Sequence, residues 1–104
     1  MVINGKTIDF KITRKSDAAN FQKAINNMSA TEKSIQEMKQ DDLGEVLEAL
    51  CKMMTDFFKT ATGVDVVDGC EDVEEINEMY YSFLAETEKQ KKCFNFSYSP
   101  KRIK

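Results

Sequence analysis

Apolar and polar positions alternate at the start of the chain and again from Phe94 to Ser99. Val2-Ile3, then Asn4-Gly5, then Lys6-Thr7-Ile8-Asp9-Phe10-Lys11-Ile12 predicts a β-hairpin over residues 1–12. Asn-Gly tolerates the positive φ of a type I′ turn, and Ile8, Phe10 and Ile12 fall on one face, opposite Thr7, Asp9 and Lys11. A two-stranded ribbon is marginal in water by itself, so its apolar face must lie against a helix.

Helical periodicity follows. Ser16 or Asp17 can serve as N-cap, and Ala18, Phe21, Ala24, Ile25 and Met28 recur at helical spacing. The stripe weakens beyond Met28: Ile35 and Met38 extend it, but Glu32 and Lys39 share their face. Ser29-Ala30-Thr31-Glu32 could also cap a fresh helix. The stretch holds no Gly or Pro, which favours one continuous helix projecting beyond the core over a break near Ser29.

The second helix is the clearest element. Asp42 opens it with Glu45 three residues on, and Gly63 stops it after Thr62. Leu43, Val46, Leu47, Leu50, Met54, Phe57, Phe58 and Ala61 form one stripe, with Glu45, Glu48, Lys52, Asp56 and Lys59 opposite, the pattern of a core-facing helix. Residues 63–72 read as a loop with room for a short extended piece through Val64 to Val67. Asp72 and Glu75 then cap a third helix with the stripe Val73, Ile76, Tyr80, Phe83, Leu84 and Thr87. Glu74, Glu75, Glu78, Ser82 and Glu86 face outward, and Lys89, Lys91 and Lys92 suit the negative end of the dipole. From Cys93 the helical period is lost.

The pattern predicts a mainly α (α+β) fold, with three to four helices packed against an N-terminal β-hairpin. One helical domain spans 1–92. A basic, aromatic-containing tail, 93–104, either adds a strand to the hairpin or stays disordered until bound.

Composition narrows the chemistry. A length of 104 residues supports one domain, and there is no histidine or tryptophan. An imidazole base, a Ser-His-Asp or Cys-His pair and a histidine metal ligand are all excluded. Cys51, Cys70 and Cys93 are odd in number and lack C-x-x-C spacing, which fits neither a zinc site nor a disulfide framework and suits a reducing cytoplasm. No basic start with an apolar stretch marks a signal peptide, and no run approaches a membrane span. These features predict a soluble cytoplasmic protein with no membrane association.

The formal charge of −3 hides a segregation. Residues 41–88 carry fourteen acids and two bases, Lys52 and Lys59, whereas residues 89–104 carry six bases and no acid.

Candidate sites are few. If Gly69 is aligned with the glycine of a calcium loop, Val64 and Val66 occupy positions where oxygen ligands are required, so no EF-hand forms. Glu74, Glu75 and Glu78 lie on the predicted solvent face, where nothing raises a carboxyl pKa for acid-base work. Cys51 borders the apolar stripe as a small buried hydrophobe. No catalytic residue, metal or cofactor is assigned. Phe94, Phe96 and Tyr98 ahead of Lys101, Arg102 and Lys104 could stack bases, but no nucleic-acid module accompanies them and the adjoining body is acidic, so nucleic acid is not an expected partner.

Methionine is more informative. Six in 104 residues supply conformable apolar surface of the kind that adaptable binding sites use. Met53, Met79 and Tyr81 sit at stripe edges and, with Ile35 and Met38 on the projecting half of the first helix, are the candidate partner-binding residues.

The order of elements resembles a family. An Asn-Gly hairpin from Val2 to Ile12 leads into a polar first helix. A second helix carrying Met53-Met54-Thr55-Asp56-Phe57-Phe58, a Gly-containing loop and an acidic last helix complete the series. The chain resembles the small tail assembly chaperones of long-tailed bacteriophages and prophages of Gram-positive bacteria. The resemblance implies a non-enzymatic protein of the bacterial host cytoplasm that coats the tape measure protein, helps recruit tail tube subunits and is absent from the finished virion. It also implies a longer form made by frameshifting near Pro100-Lys101-Arg102-Ile103-Lys104. Self-association is expected as well, since small domains complete their cores that way. Two readings from other classes stand beside it: a small acidic regulatory or inhibitory module that binds a basic surface, and an enzyme using the thiols or carboxylates.

Overall fold

The computed structural model describes residues 1–38 and 42–98, with side chains described as far as Lys92. Asn4 and Gly5 adopt positive φ of 54° and 73°, closing a two-residue turn between β1 (Val2–Ile3) and β2 (Lys6–Thr7). Val2 pairs with Thr7 and Ile3 with Lys6, antiparallel. Met1 adds one further rung: its carbonyl accepts from Ile8 N at 2.8 Å and its ammonium donates to Ile8 O at 3.2 Å.

The second strand is shorter than the alternation to Ile12 suggests, its pairing confined to Lys6 and Thr7. The apolar alternation persists without the ladder: Ile8 and Phe10 are buried and Ile12 is half-buried. Side chains supply the missing hydrogen bonds. The Gln90 amide accepts from Ile12 N at 2.6 Å and donates to Phe10 O at 3.2 Å, while Lys11 N donates to Asp17 Oδ2 at 3.0 Å.

Helix α1 (Lys15–Gln36) starts at Arg14, so the N-cap expected at Ser16 or Asp17 is corrected. Asp17 lies in the first turn and reaches back to Lys11 N and to the Arg14 guanidinium, at 2.9 Å. The latter also contacts Asp9, at 3.1 Å, and Asp9 holds it above its ordinary pKa. The helix is continuous through Ser29 and ends at Glu37.

Helix α2 (Leu43–Thr62) has the predicted ends. Asp42 Oδ1 accepts from Glu45 N at 3.2 Å, and Gly63 at φ 78° closes the C-terminus by donating its N–H to Lys59 O at 2.9 Å. Gly63→Ala is expected to cost about 1 kcal/mol, because a Cβ disfavours the left-handed backbone. An unchanged urea midpoint would contradict that role for Gly63.

Residues 63–72 form tight turns, where an extended piece through Val64 to Val67 is expected from the sequence. Val66 N donates to Val64 O and Cys70 N to Val67 O, which turns Val66 and Val67 into the core. Asn4 fastens this loop to the hairpin by donating to Val66 O at 2.7 Å.

Helix α3 (Val73–Tyr98) starts at Asp72, whose carboxylate accepts from Glu74 N at 2.9 Å. It runs through residue 92 to Tyr98, so the loss of helix expected from Cys93, and with it an added strand over 93–98, is corrected. The expectations for the side chains of Phe94, Phe96 and Tyr98, for Lys39 and for the basic end 99–104 lie outside the described residues.

The fold is therefore mainly helical with an N-terminal antiparallel hairpin. α1 packs along α2, while α3 packs on α2 and on β1. Phe10, Phe21, Phe57 and Phe83 meet where these elements converge, with ring centroids 5.0–6.3 Å apart, and Phe58 and Tyr80 close the cluster against Phe57.

Candidate functional site

α2 lies between α1 and α3, and the two flanking helices do not close over it. A groove of about 430 Å³ remains. Its floor is Leu50, Met53 and Met54 of α2, one wall is Met28 and Glu32 of α1, and the other is Asn77, Tyr80, Tyr81 and Leu84 of α3. The floor is soft and apolar, and two methionines allow it to conform to different side chains.

The five candidate residues do not form one surface. Met53 and Tyr81 share the groove. Tyr81 is 65% exposed, whereas Met53 is only 7% exposed at the base. Ile35 is 8% exposed, packed in the core cluster, and Met38 is half-buried against it. The free surface expected at Ile35 and Met53 is thus corrected: α1 and α2 pack through these stripe edges. Met79 is half-buried elsewhere, beside Ile3, Asn4 and Glu78 in a cleft of about 450 Å³ between the hairpin and α3.

Leu43 and Leu47 are the residues that sequence reasoning misplaces. Both belong to the stripe read as core-facing, yet they are 64% and 40% exposed. α3 meets α2 from Leu50 to Phe58, and the first two turns of α2 stay uncovered on that side.

Glu32 stands at the margin of the groove, and Glu78 beside the cleft at the hairpin. Glu32, Glu48, Glu74 and Glu78 are exposed, and among the described residues none of them is ion-paired. Burial pushes the Tyr80 hydroxyl above its ordinary pKa, and Tyr81 and Glu32 add to the effect. Cys51 is raised in the same way, by burial first and then by Cys70, Glu48 and Glu71. Its sulfur is therefore held as the thiol at neutral pH, a poor state for nucleophilic attack. The groove offers apolar contact and, at Glu32, an anionic hydrogen-bond acceptor. Among the described residues no helix is long and apolar enough to cross a membrane. Comparison of the chain with protein-family models, curated proteins and solved structures gives no match.

Proposed function

We propose that the chain is a non-enzymatic assembly chaperone of the phage-tail type. It binds segments of the tape measure protein, keeps them soluble in the host cytoplasm and helps bring tail tube subunits to them. The observation that supports this reading is the open groove between α1 and α3, mixed in its lining but floored by Leu50, Met53 and Met54, together with exposed Leu43 and Leu47 at the start of α2. A chaperone of this kind needs no reacting group. It needs an apolar surface that a partner can occupy and leave, on a body kept soluble by charge. The sequence resemblance supplies the partner class, and the groove supplies a place for it.

Co-expression with the tape measure protein of the same genome tests the reading. The expected result is a soluble complex that co-purifies; a tape measure protein left insoluble and unbound would refute it. The charge of the 41–88 segment favours a second reading, a small regulatory module that binds a basic surface. Such a complex would dissociate steeply with added salt, whereas apolar contact in the groove would survive it.

A further inference from the structure

The groove and the bare start of α2 form one strip. Leu43, Leu47, Leu50 and Met54 lie within about 60° of one another around α2 and extend for about 16 Å along its axis. That is the length of three helical turns, and an amphipathic helix laid along it can place apolar side chains at successive turns. A strand has less to gain, since the strip is flanked by helices whose backbone groups are already paired.

The charge around the strip selects the partner's sign. Glu32 stands on the α1 wall. Glu74 precedes Tyr81 by seven residues, so it shares its side of α3, whereas Glu78 faces the cleft beside the hairpin; Glu48 lies near Cys51 on the side of α2 toward the loop. The bases of α2 are turned away: Lys52 and Lys59 fall about 180° and 160° from Leu43 around the helix. A second copy of the chain docked by a two-fold contact would set this same acidic patch against itself.

We infer that the strip from Leu43 to Met54 is a docking site for a single basic amphipathic helix, its apolar face on Leu43, Leu47 and Met54 and its lysines or arginines toward Glu32 and Glu74. The inference rests on the binding role proposed above and adds the secondary structure and charge of the bound segment. The apolar strip sets affinity, and the carboxylates set orientation and the rate of encounter.

Synthetic peptides test this without the tape measure protein, so the two readings can fail separately. The probe is a fluorescein-labelled Leu/Lys peptide of about 18 residues with leucines on one helical face, long enough to cover the strip. One control replaces its lysines by glutamates, and another scrambles the leucines around the helix. At physiological ionic strength the full chain should bind the Leu/Lys peptide at least about tenfold tighter than either control. The variant Leu43→Ser/Leu47→Ser/Tyr81→Ser, altered only at exposed positions, should lose about tenfold in affinity with an unchanged circular dichroism spectrum. The variant Glu32→Gln/Glu74→Gln should bind more weakly and with less dependence on salt. Equal binding of the scrambled or glutamate peptide, or full affinity in the serine variant, would overturn the proposal. So would sedimentation of the free chain as a dimer that the serine variant dissociates, since the strip would then belong to a second copy.

Discussion

Phe83→Ala is expected to lower stability by about 3–5 kcal/mol. Phe83 is fully buried, and its ring touches four others from three different parts of the fold. Phe10, on the segment after the hairpin, lies 5.0 Å away between centroids; Phe58 and Phe57 of α2 lie at 5.6 and 5.9 Å; Phe21 of α1 lies at 6.0 Å. Alanine removes both the transferred apolar surface and the edge-to-face contacts, and no single helix can collapse into the space because each is held by the others. A domain of this size has roughly 5–15 kcal/mol in total, so the variant should lie near its unfolding midpoint in low urea. Phe83→Leu fills most of the volume and should cost about half as much or less. Urea titration followed by circular dichroism measures both. A loss below about 1 kcal/mol for alanine would mean that the cluster does not hold the elements together.

The features legible in the sequence are those decided by neighbours in the chain. Asp42 with Glu45, Gly63, Asp72 and Asn4-Gly5 mark their boundaries through hydrogen bonds and dihedrals within a few residues, and each is found where it reads. The first helix starts earlier than its pattern because Asp17 serves the chain behind it, bonding Lys11 N and Arg14, where a cap would bond the turn ahead. Stripe membership says that a residue faces something, but does not say whether anything is there. Leu43 and Leu47 share the apolar face of Met54 and Ala61, and only the crossing of α3 decides that one end is covered and the other bare. Met53, read as a stripe edge, and Ile35, read as lying on the projecting half of α1, are buried because the α1–α2 interface lies off-centre from the α2 stripe.

Gln90 had no sequence signal at all, and its replacement carries the second large effect. The side-chain amide accepts from Ile12 N at 2.6 Å and donates to Phe10 O at 3.2 Å, the pair of bonds that a neighbouring strand would make on either side of Lys11. Contacts spanning 78 and 80 residues cannot be inferred from local pattern. Gln90→Ala strands a part-buried donor and a part-buried acceptor at once, and each unmade bond costs about 1–3 kcal/mol when water cannot fully replace it. Partial water access reduces the sum, giving an expected loss of about 2–3 kcal/mol. Gln90→Leu restores the volume without the polar atoms and should be destabilised nearly as much, which separates hydrogen bonding from packing. Hydrogen exchange provides the local readout. The Ile12 amide should be protected in the native chain and exchange at least about tenfold faster in both variants, since each 1.4 kcal/mol of lost local stability is a factor of ten. The amides of α2 should change only by the global loss of stability. If Ile12 exchanged at the same rate in all three proteins, the segment after the hairpin would be held by the burial of Ile8 and Phe10 alone.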